Sequence, residues 1–183
     1  WLSVAEERAL RRAFARAAIP RDVALMETFL NVGLRIEEAA AMEAQHLKLG
    51  ERSGSVEVVG KGRKRRVVQL NSRVRRALRT WLLHRPGGWL EPGPVWIGQR
   101  GGLSVSALHR IVARYGDLAR LGDLSAHQLR HTAAKRLVES GARLEEVAAI
   151  LGHENLNTTR RYVEPGREDL RKALERLAGD EDE

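Results

Sequence analysis

The chain has 183 residues, of which 43% are hydrophobic, and its formal net charge is +8. This length suits one domain with a sizeable core, or one domain with a small appendage. The positive charge favours a polyanionic partner. Only five of the 32 cationic residues are lysines, and an excess of arginine suits bidentate contacts to phosphate, although a GC-rich genome would give the same bias. The absence of cysteine excludes disulfides, thiolate chemistry and zinc–thiolate sites.

Two further classes of segment are missing from the sequence. No apolar run approaches the ~18 residues that a membrane-spanning helix needs. The chain opens on Trp1 rather than Met, with no signal-peptide pattern. We therefore expect a piece of a longer protein whose N-terminal part is missing from this chain.

The first part of the chain has the periodicity of helices. The pattern predicts three of them, over residues 3–18, 20–32 and 36–45. Ser3 and Glu6 form a capping box at the start of the first. Pro20 and Asp22 begin the second, and Gly33 ends it.

The period then changes from helical to alternating. Three β-rich runs, HLKL, SVEVV and RRVVQL, occupy residues 46–49, 55–59 and 65–70. Turn residues at 50–55 and 60–64 separate them. This order predicts a small three-stranded antiparallel sheet.

The remainder reads as helices again, with a loop at 86–96. Asn71, Ser104 and Ser125 stand where N-caps are expected. The predicted helices are 72–85, 105–121, 126–140, 144–152, a short turn from Asn157, and 167–177. The tail, GDEDE at 179–183, is acidic and expected to be disordered. The sequence contains no internal repeat and predicts a mainly helical α+β fold with the sheet at one edge.

Two basic residues stand at places that secondary structure alone does not require. Arg35 follows the helix stop at Gly33, so its side chain can point into a cleft. Lys61 lies between glycines in the hairpin GKGRKRR, where a mobile lysine can reach a ligand and give up a proton. Either residue alone is most simply a solvated cation.

The segment HQLRH contains His127 and Arg130 at a spacing of three residues. On a helix this spacing puts both side chains on one face, with Cβ atoms ~5–6 Å apart. His131 is turned roughly 100° from Arg130. The alternative for His127 is a partly buried histidine bonded to a backbone carbonyl.

The last two candidates lie in LGHENLNTTRRYVEP. His153 follows a predicted helix end, and Tyr162 comes nine residues later, after two arginines. A tyrosine on so basic and polar a segment is either a packed aromatic or a nucleophile near an anion. The other tyrosine, Tyr115, lies on an amphipathic helix and is expected in the core or at its rim.

Taken together, these residues resemble a known family. The segments TFLNVGLRIEEAAAM, GKGRKRRVVQL and HQLRHTAAKRLVESGARLEEVAAILGHENLNTTRRY are similar to the catalytic domain of the tyrosine recombinases, the phage integrase and Xer-like proteins. The resemblance runs from about residue 4 to 165. It implies the fold of DNA breaking–rejoining enzymes for residues 1–178, followed by the tail. The family's catalytic residues fall on Arg35, Lys61, His127, Arg130, His153 and Tyr162, with Lys64 as an alternative to Lys61.

The resemblance implies DNA cleavage and rejoining through a 3′-phosphotyrosyl intermediate. Two guanidiniums, of Arg35 and Arg130, can hold the non-bridging phosphate oxygens. Tyr162 is the implied nucleophile, and His127 can take its proton. Lys61 is the implied acid for the leaving 5′ oxygen, and His153 would donate a hydrogen bond. No metal, cofactor or ATP is expected, and the sequence has no G-x-x-x-x-G-K-[ST] loop.

The same resemblance implies partners and a location. Double-stranded DNA is the expected substrate, and other recombinase subunits are expected to form a tetramer on it. The final helix, with apolar residues at Leu170, Leu174 and Leu177, is the expected contact between subunits. The location would be cytoplasmic, at the nucleoid. The N-terminal clamp domain of the family is absent from this chain, which leaves a monomer expected without DNA.

Two other classes of function compete with this one. The charge would also suit a DNA-binding module without catalytic activity. HQLRH also presents two histidines four residues apart, as in a metallohydrolase, but Gln128 stands where the zinc-protease pattern needs glutamate.

Overall fold

A computed structural model describes residues 1–60, 64–89 and 91–152. Over these ranges the chain forms seven α-helices, a three-stranded sheet and a two-stranded sheet. The helices are α1 (Val4–Ala17), α2 (Pro20–Val32), α3 (Ile36–Ala40), α4 (Ser72–His84), α5 (Val105–Leu118), α6 (Ala126–Glu139) and α7 (Leu144–Leu151). The strands are β1 (Leu47–Leu49), β2 (Gly54–Val59), β3 (Arg65–Gln69), β4 (Ile97–Gly98) and β5 (Gly101–Gly102).

Helix ends follow the predicted capping residues. The Ser3 hydroxyl accepts a hydrogen bond from the Glu6 N–H at 3.3 Å, and the Glu6 carboxylate accepts one from the Ser3 N–H at 2.7 Å. The Asn71 side chain accepts from the Val74 N–H at the start of α4. Gly33 ends α2 in the left-handed conformation, at φ +65°. The Ser3 and Asn71 side chains satisfy N–H groups that a helix start leaves without partners, and the Gly33 N–H donates to the Phe29 carbonyl at the end of α2.

The larger sheet has three antiparallel strands, as predicted, in the order β1-β2-β3. Val56 of β2 is opposite Leu47 on one side and Val68 on the other. Buried residues alternate along β2, because successive side chains of a strand point to opposite faces. One face of the sheet therefore contributes Val56, Val58 and Val68 to the core.

The predicted extent of the third helix is wrong. The helix α3 ends at Ala40, and a separate 3₁₀ turn covers Ala44–His46. The backbone between them pairs with the following loop instead: the Val95 N–H donates to the Met42 carbonyl, and the Ala44 N–H donates to the Gly93 carbonyl, both at 2.8 Å. Pairing between residues so distant in sequence cannot be predicted from local periodicity. The small β4-β5 sheet that follows this loop was also not predicted.

The helix α2 lies at the centre of the described fold and packs against α1, α4 and α6. Its buried apolar residues belong to the main hydrophobic core. A smaller cluster of Ala134, Val147 and Leu151 holds α7 on α6. The ends of α2 and α7 meet closely, since a Cβ added to Gly33 would lie 2.7 Å from the Leu151 side chain. This contact between two helix ends is where the candidate site lies.

Several predicted features lie outside the described residues. These are the turn at Asn157, the helix at 167–177 and the tail at 179–183. The division into 1–178 and 179–183 therefore stays a prediction.

Candidate active site

Arg130 is a buried arginine at the junction of α2, α6 and α7. Only 4% of its surface is exposed. Its Nη1 donates to the Gly33 carbonyl at 2.6 Å, and its Nη2 donates to the Leu151 carbonyl at 2.8 Å. The last carbonyls of a helix have no partner within that helix, and a planar guanidinium can serve two of them at once. Arg130 therefore joins the end of α2 to the end of α7 and is held in one orientation.

Arg35 reaches the same helix end from the N-cap position of α3. Its Nη1 and Nη2 both donate to the Gly152 carbonyl at 3.2 Å. The side chain remains 38% exposed, so solvent or a ligand can reach it. The two guanidiniums thus converge on consecutive carbonyls, Leu151 and Gly152, although 95 residues separate them in the sequence.

Glu38 lies beneath Arg35 and was not singled out from the sequence. Its carboxylate accepts from the Arg35 N–H at 2.9 Å and from Arg35 Nη1 at 3.1 Å. Burial opposes its ionisation, but hydrogen bonds from Arg66 and from the Arg35 backbone outweigh burial and lower the pKa of Glu38. The spacing of an N-cap residue and a glutamate three residues later, as in a capping box, could have identified it.

Arg66 on β3 is the second residue that sequence reasoning missed. Its Nη1 and Nη2 donate to the two carboxylate oxygens of Glu38 at 2.6 and 3.0 Å, and Nη2 also donates to the Leu151 carbonyl at 3.2 Å. Three arginines therefore surround the end of α7, with one carboxylate between two of them. The available signal was strand alternation, which puts Arg66 on the same face as the buried Val68.

His127 lies in the first turn of α6 with its side chain exposed. Its Nε2 is 2.7 Å from Nε2 of His131, and the two ring centroids are 4.4 Å apart. A hydrogen bond between two such nitrogens needs one bare nitrogen and one N–H. His127 thus has a neighbouring histidine as its partner, rather than the backbone carbonyl considered from sequence.

The other three predicted site residues, Lys61, His153 and Tyr162, lie outside the described residues. The residues directly before two of them are described. Gly60 precedes Lys61, and a Cβ added to it would lie 3.5 Å from the Glu38 carboxylate. Gly152, whose carbonyl binds Arg35, precedes His153. The segments that contain Lys61 and His153 therefore both begin beside the cluster formed by Arg35, Arg66 and Arg130.

Tyr115 belongs to the core and not to this cluster. It is fully buried, and its hydroxyl donates to the Asp22 carboxylate at 3.1 Å. Burial, followed by the negative charge of Asp22, raises the pKa of the Tyr115 phenol. A buried phenol that resists ionisation is unsuited to nucleophilic attack, so this tyrosine has a structural role.

The cluster is suited to binding an anion with two or more oxygens. Guanidinium groups form short, charge-assisted bonds to such ligands. The three positive charges of Arg35, Arg66 and Arg130 exceed the single negative charge of Glu38, so the cluster of these four residues has a net positive charge. In the described part of the chain, no group of three or more histidine, aspartate, glutamate or cysteine side chains could hold a metal ion. Within the same residues, none of the helices has the length and apolarity needed to cross a bilayer.

Comparisons with known proteins identify relatives over most of the chain. A sequence model of the phage integrase family matches residues 1–168. The tyrosine recombinase XerC of Pelobacter propionicus is 37% identical over 145 residues, which cover 78% of this chain and 47% of that protein. The XerC of Bifidobacterium longum is 35% identical over 182 residues, which cover 92% and 51%. The chain thus spans about half the length of the curated relatives it matches.

Solved structures agree with this relationship. The XerA recombinase superposes with a TM-score of 0.82 at 23% identity, over 97% of this chain and 65% of that chain. The XerH recombinase bound to its difH substrate, in a pre-cleavage complex, gives a TM-score of 0.79 at 26% identity, over 94% and 53%. The predicted fold, that of a recombinase catalytic domain with a small sheet at its edge, is confirmed.

Proposed function

The chain belongs to the phage integrase family, and from that premise we propose that it is the catalytic part of a tyrosine-type site-specific DNA recombinase. One observation carries the proposal beyond family membership. Arg35 and Arg130, distant in sequence, direct their guanidiniums at adjacent carbonyls, Leu151 and Gly152. A site that must hold the two non-bridging oxygens of one phosphate needs two guanidiniums at such a close spacing.

The reaction we propose is a transesterification at phosphorus. The Tyr162 oxygen attacks the scissile phosphate, an O–P bond forms, and the bond to the 5′ oxygen breaks. His127 accepts the phenolic proton, and Lys61 supplies a proton to the leaving 5′ oxygen. Lys64 is the alternative acid, since it lies in the same hairpin. His153 donates a hydrogen bond to a non-bridging oxygen.

The fixed orientation of the arginines supports this assignment. Charge on the non-bridging oxygens grows in the transition state, and donors that are already oriented stabilise it without reorganisation. Arg130 is buried and held by carbonyls of two helices, while Arg35 is partly exposed. Arg130 would therefore provide the rigid contact and Arg35 the accessible one.

The reversibility of the reaction follows from the nucleophile. A phenolate with a pKa of ~10 is a far better leaving group than an alkoxide. A phosphotyrosyl bond therefore stays reactive toward a deoxyribose hydroxyl, and rejoining needs neither ATP nor a metal.

The proposed partners are duplex DNA and further recombinase subunits. The XerH relative was solved bound to its difH substrate, and this chain has a net charge of +8 that suits DNA. We propose a tetramer on DNA, with the segment around Leu170 to Leu177 as the contact between subunits. The protein would act on nucleoid DNA in the cytoplasm.

Covalent capture tests the function whatever the sequence of the target site. The purified protein is incubated with nicked duplexes prepared from genomic fragments, and SDS-resistant adducts are isolated and sequenced. We expect adducts from wild type and from Tyr115→Phe, which changes the buried tyrosine, and none from Tyr162→Phe. The metallohydrolase alternative predicts instead cleaved DNA without any adduct, and loss of that cleavage in EDTA.

The outcome that contradicts the proposal is equal adduct formation by wild type and Tyr162→Phe. Salt-sensitive DNA binding without any adduct would favour a binding module instead. In that case substitutions at Arg35 or Arg130 would leave binding unchanged.

A further inference from the structure

Arg66 occupies a junction between the segments that carry the proposed catalytic residues. Its guanidinium bonds to both oxygens of Glu38, which in turn bonds to Arg35, and to the carbonyl of Leu151 at the end of α7. The contacts span β3, α3 and α7, and the Arg66 side chain is only 21% exposed. None of the roles assigned above uses this residue.

Two glycines lie close to the same guanidinium, Gly60 just after β2 and Gly152 at the end of α7. A Cβ added to Gly152 would lie 2.5 Å from Cζ of Arg66, and one added to Gly60 would lie 3.6 Å from its Nη1. Gly60 directly precedes Lys61, and Gly152 directly precedes His153. Arg66 therefore lies between the two points where the chain enters the segments of the proposed acid and the proposed hydrogen-bond donor.

We infer that Arg66 is a positioning residue for strand cleavage, acting through Glu38 on Arg35 and through the Leu151 carbonyl on the end of α7. The inference rests on the proposed function. Arg66 need not contact DNA in this role. It sets the orientation of groups that do.

The physical reason is that the Glu38 carboxylate is shared between two arginines. Its Oε1 accepts from Arg66 at 2.6 Å and from Arg35 at 3.1 Å, so Arg66 forms the shorter bond. Without Arg66, the buried carboxylate would have Arg35 as its main cationic partner and would draw that guanidinium inward, away from the phosphate. A buried carboxylate left with fewer donors would also become easier to protonate.

The first test compares Arg66→Met with Arg65→Met. Arg65 is the adjacent residue on β3, its side chain is 63% exposed, and it pairs with Glu57, so the control removes the same charge outside the cluster. Cleavage is measured in single turnover at saturating protein, on the nicked duplex recovered by covalent capture. We expect Arg66→Met to be at least about tenfold slower than wild type and Arg65→Met to stay within about threefold.

The conservative variant Arg66→Lys should cleave at a rate between those of wild type and Arg66→Met, because an ammonium cannot form the bidentate contact of a guanidinium.

A modified substrate separates positioning from a general loss of structure. Replacing one non-bridging oxygen of the scissile phosphate by methyl gives a neutral methylphosphonate, whose cleavage depends less on an oriented guanidinium. If Arg66 acts by positioning Arg35, the defect of Arg66→Met should shrink to about threefold or less on this substrate. A partly unfolded protein would show the same defect on both substrates.

Gly152→Ala provides a second variant that leaves Arg66 in the sequence. The added methyl would displace the Arg66 guanidinium. Gly122→Ala is the control, because Gly122 has almost the same backbone, φ +67° against +68°, but open space around its Cβ position. Both variants carry the strain of a left-handed residue. We expect only Gly152→Ala to slow cleavage by about tenfold.

Three outcomes would overturn the inference. These are Arg66→Met cleaving within threefold of wild type, an equal defect on the phosphate and methylphosphonate substrates, and equal cleavage by Gly152→Ala and Gly122→Ala. Each leaves the proposed function intact if wild type forms a Tyr162-dependent adduct. If wild type forms no such adduct, the proposed function fails and this inference fails with it.

Discussion

Glu38 illustrates at the scale of one residue how the cluster balances charge. Its carboxylate is 3% exposed and receives hydrogen bonds from two guanidiniums and one backbone N–H. An isolated charge so deeply buried would be unfavourable. The arginines offset that cost, and the carboxylate in turn holds Arg35 and Arg66 close together despite their like charges.

This arrangement predicts how stability depends on pH. Hydrogen bonds lower the pKa of Glu38 in the folded protein below the ordinary value of 4.5. Its stabilising contribution is therefore complete above that value and is lost as pH falls through the lower folded-state pKa. Glu38→Gln should thus be less stable than wild type near neutral pH, and the difference should narrow below about pH 4.5. Urea unfolding across this pH range measures it.

Glu37→Gln is the matched control for this prediction. Glu37 is the preceding residue on α3 and its side chain is exposed, so the same change should alter stability by no more than about 0.5 kcal/mol. A difference between Glu38→Gln and wild type that stays constant across the range would contradict the proposed electrostatic balance.

At the scale of elements, α6 carries two of the proposed catalytic residues, one exposed to solvent and one buried. His127 is exposed in its first turn, and Arg130 is buried three residues later. The helix start is held by the Ser125 hydroxyl, which accepts from the Gln128 N–H at 3.2 Å. The position of the first turn, and hence of His127, depends on this cap.

Removal of the cap is expected to affect both stability and activity. Ser125→Ala should cost about 1 kcal/mol in unfolding free energy and should slow single-turnover cleavage. The control is Ser104→Ala, because Ser104 caps α5 through a bond of the same length, 3.2 Å, to the Ala107 N–H, and none of the proposed catalytic residues lies on that helix. We expect Ser104→Ala to lose a similar unfolding free energy and to cleave DNA at the wild-type rate. Equal cleavage by the two variants would show that the first turn of α6 does not orient the site.

At the scale of the whole molecule, the excess of arginine has an internal use that composition did not indicate. Arg85 is buried and donates to the carbonyls of Gly88, Glu91 and Pro94. Arg11 pairs with the buried Glu27. Part of the cationic content therefore stabilises loops and helix contacts, and only the remainder is available to bind a polyanion.

The net charge still predicts salt-dependent binding to DNA. Binding to phosphates releases counterions, so affinity for a nonspecific duplex should fall by at least about tenfold when NaCl is raised from about 50 to 200 mM. Fluorescence anisotropy with a labelled duplex measures this, and the unfolding free energy at both salt concentrations checks that the fold is unchanged. A change in affinity of less than about twofold would argue against phosphate contacts as the main source of binding.

Local patterns in the sequence were sufficient for most elements. Capping residues such as Ser3, Asn71 and Ser125, and the alternation in β2, act over a few residues and can be read without knowing the fold. The third helix was overestimated because its last residues pair with the loop near Val95, and β4 and β5 were missed for a related reason. Long-range backbone pairing can override a local preference for helix, and the residues nearby in sequence give no sign of it.

The candidate site shows the same division. Arg35 and Arg130 were recognised from motifs, since each lies in a short segment with a characteristic pattern. The roles of Glu38 and Arg66 depend on α3, β3 and the end of α7 meeting in space, which is a property of the packed core. Residue order thus indicated the family, the principal helices and two guanidiniums of the site. Folding brought those guanidiniums to neighbouring carbonyls and placed a buried carboxylate between Arg35 and a third arginine, Arg66. A buried charge is stable only where partners surround it, and these partners come from distant parts of the sequence.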